Sequence, residues 1–258
     1  MTAAAAATLP RTCCPSVWLW PGEALYAGPG LDLDPHSGSV WCLAVGVDGP
    51  LRISVGTRRV TARSVLIPPR VIHHLDTRGG RLVSCYLDPT SSRASAARAR
   101  FRNAGTDLAT GHRDEELLAE PPADADTARR WLGLAAPVPP RQCDSRIAAI
   151  AARIGADPAA APSSSELAAA VGLSESRLLH LFRRETGTSL RRYRLWIRLM
   201  RAGAAIGAGH NLTRAAADAG FASPSHLADR FKATFGLTAT QLLKAGVVLH
   251  TPAQTATS

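Results

Sequence analysis

The sequence predicts an α+β chain of two domains: a small β-barrel, then an all-α domain made of two helix-turn-helix units joined by a linker helix. Three observations predict it. Short β-branched runs bounded by Gly and Pro fill residues 25–89, a two-helix motif is heard twice in the C-terminal half, and the proline-rich breaker "APVPPRQC" (Ala136–Cys143) lies between them. A chain of 258 residues is long enough for a core in each part. The boundaries expected are a disordered leader over 1–20, a β-rich domain over 21–135, a linker over 136–143, a helical domain over 144–246 and a disordered tail over 247–258.

The leader, "MTAAAAATLP", has an alanine run but no charged start and no long apolar core, so it does not read as a secretory signal. Trp18 and Trp20 are expected to pin its end to the next domain. In the β-rich part, "SVWCLAVGV" (Ser39–Val47) and "LRISVG" (Leu51–Gly56) flank Asp48-Gly49, which predicts a hairpin. "RRVTARSVLIPP" and "GRLVSCYLDP" continue the strands, and their close spacing predicts a barrel or sandwich. Beyond Pro89, "SSRASAARARFRNAG" and "DADTARRWLGL" are Ala/Arg-rich and favour helix, with "AEPPAD" separating them.

The helical part repeats itself. "GLSESRLLHLFRRETG" begins at Gly172 and "GFASPSHLADRFKATFG" at Gly220; aligned on Ser174 and Ser223 they share an offset of 49 residues. Leu178 then falls on Leu227, Phe182 on Phe231 and Gly187 on Gly236. Ser163 and Glu166 form a capping box for the first helix, Gly172 suits a left-handed helix end, and Ser174 caps the second helix. In the second copy Gly220 ends the first helix, Ser223 caps the next, and Pro224 takes the position that needs no amide donor. Leu178, Leu181 and Phe182 make an apolar stripe that Leu227 and Phe231 repeat, and Ala168 and Ala216 let two helices cross closely. Between the units, "SLRRYRLWIRLMRAGAAI" (Ser189–Ile206) carries Leu190, Tyr193, Trp196, Ile197, Met200 and Ala204 at helical spacing, with arginines on the other face. Such a rod is about 27 Å long, and one turn of B-DNA is about 34 Å, so the two units suit successive major grooves.

Charge agrees with that reading. The chain has 30 Lys and Arg against 20 Asp and Glu, and Asp144–Ser258 alone holds 14 of the former and 7 of the latter. A basic balance concentrated on the repeat points to a polyanionic partner. No apolar stretch approaches membrane-spanning length, and a cytoplasmic protein is expected. Five cysteines, at positions 13, 14, 42, 85 and 143, lack zinc-ligand spacing and read as reduced thiols, with the Cys13-Cys14 pair as the alternative of a thiol or soft-metal sensor.

Residues 163–243 resemble the DNA-binding domain of the AraC/XylS family of bacterial transcription factors. The resemblance rests on "ELAAAVGLSESRLLHLFRRETG", on the linker "YRLWIRLMRA" and on "GFASPSHLADRFKATFG". It departs from the family pattern at "LTATQLLK" (Ala239, Leu242, Leu243), at Leu227 and at Ala215, which softens the packing expected of the second unit. The resemblance implies a transcriptional regulator that reads promoter DNA, expected as an activator that recruits RNA polymerase, with repression left open. The faces opposite the apolar stripes offer Ser176, Leu179, His180 and Arg183 in the first unit, and Ser225, His226, Ala228, Asp229 and Lys232 in the second. By resemblance, Ser176, Leu179 and His180 match base-contacting positions, as do Ser225, Ala228 and Asp229; Arg183, Arg184 and Lys232 suit phosphate contacts.

"DPHSG" (Asp34–Gly38) and "SVLIPPRVIHHLDT" (Ser64–Thr77) resemble the cupin-like sensory domain that precedes such a module. That resemblance implies an unknown small-molecule effector held in the barrel mouth, with His36 and His73 as its polar handles. Metal-binding cupins need further ligands that "HSGSVW" lacks, so neither a metal nor a cofactor is expected, and plain rim histidines are the alternative. Effector binding is expected to shift the barrel against the helical segment Ser91–Leu134, which suits a homodimer contact, or against the DNA-binding domain. Two other readings are a cupin-type metal-dependent enzyme with a DNA-binding appendage and a nucleic-acid binder that answers to no effector.

Overall fold

The computed structural model describes residues 15–91, 93–105, 107–138, 143–160 and 162–251. Cys13 and Cys14, and residues 139–142 of the linker, lie outside the described residues. The N-terminal part runs β1 (Ser16–Trp20), β2 (Glu23–Pro29), β3 (Trp41–Gly46), β4 (Leu51–Val55), β5 (Arg58–Ala62), β6 (Ser64–Ile67), β7 (His74–Asp76) and β8 (Arg81–Leu87). There follow α1 (Arg93–Arg98), β9 (Phe101–Ala104), β10 (Ala109–His112), α2 (Glu115–Leu118) and α3 (Ala125–Ala135). The C-terminal part holds α4 (Ser145–Ala156), α5 (Ser164–Ala170), α6 (Glu175–Thr186), α7 (Leu190–Gly207), α8 (Leu212–Asp218), α9 (Pro224–Phe235), α10 (Ala239–Lys244) and β11 (Val248–His250).

The strands form an open two-sheet arrangement in place of the expected closed barrel. One sheet has eight strands in the order β11-β1-β2-β8-β3-β6-β10-β9, and the other has three in the order β5-β4-β7. The main sheet ends at β9, where Arg102, Asn103 and Ala104 are exposed, a polar edge that discourages further pairing. Alternation along the central strands feeds two cores. Leu43, Val45, Val83 and Cys85 face the cluster that contains Trp131 and Leu132 of α3, whereas Cys42, Ala44 and Leu82 face Ile53 and Leu75 of the small sheet.

The Asp48-Gly49 turn does not close a hairpin. β3 pairs with β6 and β8, while β4 pairs with β5 and β7, so this turn carries the chain from one sheet to the other. β3 is nearly all buried, as a central strand must be, and Asp48 spends its carboxylate on Arg81, whose backbone N–H donates to it at 2.8 Å. The helix favoured after Pro89 also stops short. α1 ends at Arg98 because Phe101 is drawn into the core beside His112, with ring centroids 5.1 Å apart, and its strand pairs with β10. Tertiary pairing outweighs a propensity worth tenths of a kcal/mol per residue. α3 forms as expected, with an Asp124–Thr127 capping box.

Both chain ends depart from the expected boundaries. Ser16–Trp20, placed in the leader, is the strand β1, and Trp18 is fully buried because it stacks on His250 at 5.1 Å. Val248–His250, placed in the tail, is β11, which runs parallel to β1 and donates from Val248 N–H to Pro15 O at 2.8 Å. The C-terminal strand therefore completes the sheet of the N-terminal domain. No helix among the described residues is long and apolar enough to cross a membrane.

Candidate nucleic-acid interface

The duplicated units fold as their local chemistry dictates. Ser163 Oγ accepts from Glu166 N–H at 3.1 Å while Glu166 Oε2 accepts from Ser163 N–H at 2.6 Å, closing the capping box of α5. Gly172 (φ 68°) and Gly220 (φ 75°) both take the left-handed conformation that ends the first helix of each unit. Ser174 caps α6, Ser223 caps α9, and Pro224 stands at the start of α9. α7, capped by Ser189, spans 18 residues and buries Leu190, Tyr193, Trp196 and Ile197 against the first unit.

The recognition faces point outward as expected for most of the named side chains. Ser176, Leu179, His180, Arg183 and Arg184 are exposed on α6, and Ser225, Asp229 and Lys232 on α9; His226 and Ala228 are half-buried. Some are engaged inside the chain. Arg184 pairs with Glu185 at 3.0 Å, and Lys232 Nζ reaches Asp34 Oδ2 of the N-terminal domain at 3.1 Å. His226 packs edge-on to Phe221, and its Nε2 accepts from Arg230 at 3.3 Å.

Between the two units, α6, α7 and α9 line a cleft of about 1060 Å³ together with Ser37, Ser39 and Arg70 of the N-terminal part. Its walls carry Arg183 from α6, Arg191, Arg192, Arg194 and Arg198 from α7, and Arg230 from α9, together with Leu179 and His226. Among the described residues no carboxylate lines it. Burial first, then the charges of Arg70 and Arg191, lowers the pKa of Arg192; burial and Arg198 do the same to Arg194. Arg192, Arg194 and Arg198 are half-buried and the other three exposed; gathering such like charges is costly in an empty cleft and favourable around a polyanion. Three of these guanidinium groups donate to main-chain carbonyls: Arg198 Nε to Pro158 O at 3.0 Å, Arg194 to Pro162 O, and Arg192 Nη1 to Gly38 O at 3.3 Å. Sequence reasoning places arginines on the outer face of this helix but does not single out Arg191, Arg194 and Arg198. Their spacing of three and four residues is the available signal.

His36 and His73 are both buried. They face each other across an isolated antiparallel bridge, with ring centroids 4.4 Å apart. The His36 and His73 Nδ1 atoms hydrogen-bond to Asp34 O at 2.9 Å and Val71 O at 3.0 Å. Burial lowers both pKa values, His73 to about 4 with the His36 charge as the second cause. The pair abuts Gly236 at the end of α9, where Asp34 N–H donates to Gly236 O at 2.7 Å. His36 thus sits where the N-terminal part meets the end of α9, and neither histidine is among the residues that line the arginine cleft. Among the described residues, no group of three or more His, Cys, Asp or Glu is placed to hold a metal ion.

A second cavity, of about 140 Å³, lies where the main sheet meets the helical domain. Leu19, Tyr26 and Tyr86 line it from the sheet, Met200 and Phe231 from α7 and α9, and Leu242 from α10. Among the described residues no Asp, Glu, Lys, Arg or His lines it. Leu242 and Leu243, which depart from the family pattern, are wall residues of this cavity, as is Leu249 of β11. Phe231, the repeat partner of the fully buried Phe182, is only half-buried for the same reason.

Comparison with known proteins agrees with this geometry. A helix-turn-helix domain family, HTH_18, matches residues 167–245. No curated protein matches the chain in sequence. Among solved structures, ToxT of Vibrio cholerae is similar over most of the length. One form shows 12% identity and a TM-score of 0.54, covering 86% of this chain and 97% of that one. The apo structure of a ToxT point variant gives 11% and 0.58, covering 87% and 97%. ToxT with bound unsaturated fatty acid gives 12% and 0.53, covering 86% and 94%. At that identity the likeness is one of fold: a β-rich domain followed by a helical one.

Proposed function

We propose that the chain, whose residues 167–245 match a helix-turn-helix domain family, is an AraC-type regulator of transcription that binds promoter DNA under the control of a small apolar effector. The observation that carries the DNA reading is the carboxylate-free arginine cleft between two capped helix-turn-helix units. Phosphates crossing between successive major grooves lie over that cleft. Arg183, Arg191 and Arg198 neutralise them, while α6 and α9 present Ser176, Leu179, His180, Ser225, Ala228 and Asp229 to base edges. Arg184 exchanges Glu185, and Lys232 exchanges Asp34, for phosphate on binding. RNA polymerase recruitment and a homodimer through the segment 91–134 belong to the same reading.

The effector reading moves from His36 and His73 to the apolar cavity. At about 140 Å³ it admits a benzene-sized group, and ligand pockets commonly run to about 300 Å³ or more. A larger effector has to part the sheet from α7, α9 and α10, which are also the supports of the second reading unit. Effector occupancy and DNA affinity are thereby coupled, and the coupling is reciprocal. ToxT, similar in fold, has been solved with an unsaturated fatty acid; here the uncharged lining favours a ligand without a carboxylate. Selection of bound fragments from a genomic library, followed by competition with scrambled duplex, tests the DNA reading. A reproducible enriched sequence supports it, and equal binding to scrambled DNA refutes it.

A further inference from the structure

The helical domain does not close the arginine cleft alone. Ser37, Ser39 and Arg70 of the N-terminal domain line the same space as Arg183, Arg191 and Arg230. We propose that Arg70 is a DNA-contacting residue: the docked β-rich domain completes the phosphate-binding surface with a guanidinium of its own. This rests on the DNA reading of the cleft.

The argument starts from the backbone. Arg70 follows Pro68 and Pro69 and takes a φ of 73°, in the left-handed region that favours glycine. Its conformation is held from the adjacent loop, because Arg70 N–H donates to Gly38 O at 3.1 Å. The same carbonyl accepts from Arg192 Nη1 at 3.3 Å. One peptide oxygen thus fastens an arginine of each domain to the same point. Thr188 Oγ1, which donates to Ser39 O at 2.8 Å, anchors this loop to the end of α6. Burial and then the Arg70 charge disfavour the charged form of Arg192, and among the described residues no carboxylate lines the cleft to offset this. An anion bridging the two guanidinium groups removes that repulsion. A phosphodiester backbone running from α6 to α9 supplies one at this place, so DNA favours the docked arrangement of the domains.

The test uses the full chain and a mixed-sequence duplex of about 40 base pairs, with binding followed by fluorescence anisotropy between about 50 and 200 mM salt. Arg70→Gly removes the charge at a position whose backbone suits glycine, Arg70→Lys keeps the charge, and Arg191→Ala is the yardstick from the helical domain. Melting temperatures check that each variant is folded. The slope of log K against log salt is expected to become shallower by about 0.9 in Arg70→Gly and in Arg191→Ala, and to stay near wild type in Arg70→Lys. An altered slope in Arg191→Ala with a wild-type slope in Arg70→Gly overturns the inference and leaves the cleft as a DNA surface. Unaltered slopes in both overturn the cleft reading as well. Unaltered DNA slopes with loss of saturable tripolyphosphate binding in Arg70→Gly assign the cleft to a small polyanion instead.

Discussion

Phe182 and Phe231 are equivalent by sequence, at the same place in the two repeats, and their replacement by alanine separates repeat logic from the actual packing. Phe182 is fully buried and packs on Tyr193 with centroids 5.4 Å apart. Its truncation leaves a void that the closely packed first unit cannot refill, at a cost of about 3–5 kcal/mol. For a chain of this size that corresponds to a fall in Tm of roughly 6–20 °C. Phe231 stands half-buried at an existing cavity, 4.7 Å from Phe235. Its truncation enlarges that space and forfeits fewer contacts, so a loss of about 1–2 kcal/mol is expected. Differential scanning fluorimetry of the two variants, repeated with a panel of neutral aromatic compounds, is the assay. The Phe231→Ala protein should lose less stability and gain more from the compounds. Equal losses, or stronger compound stabilisation of Phe182→Ala, would refute the placement of the cavity.

Other outcomes follow from particular contacts. Asp34→Ala frees Lys232, and because the pair is largely exposed the gain in DNA affinity should stay within about fivefold and vanish at high salt, as anisotropy titrations would show. Stopping the chain after Gly246 removes β11 and the Leu249 wall, so a lower Tm and added binding of a hydrophobic dye are expected. The folded pKa of His73 lies below its unfolded value, so the unfolded state takes up more protons on acidification. Stability is therefore full above about pH 6.5 and falls on the order of 3 kcal/mol toward pH 4, with urea titrations of His73→Gln showing a flatter profile.

What the sequence made legible was local. Ser163 and Glu166, Gly172, Ser223 and Pro224 act on neighbours within a few residues, and each holds the place its chemistry implies. The linker helix followed from the 3.6-residue spacing of Leu190, Tyr193 and Ile197. Strand pairing was not legible, because Asp48-Gly49 carries a turn signal whatever its flanking strands choose as partners. Phe101 likewise lies in a helix-favouring run, and only its distant partner His112 makes it a strand. The exposure of Ser176, Leu179 and His180 on α6 and of Ser225 and Asp229 on α9 was legible, because one helix face sets it. Surfaces joined by tertiary contact were hidden: nothing in the sequence sets Arg70 beside Arg192, or Leu19 opposite Leu242.

The central claim is that two helix-turn-helix units grip one duplex across an arginine cleft. Hydroxyl-radical footprinting of the full chain on an enriched genomic fragment tests it most directly. The expected result is two protected patches on one face of the helix, centred about 10 base pairs apart, with the intervening phosphates losing protection in an Arg191→Ala, Arg198→Ala protein. A single patch, or two patches indifferent to those arginines, would contradict it.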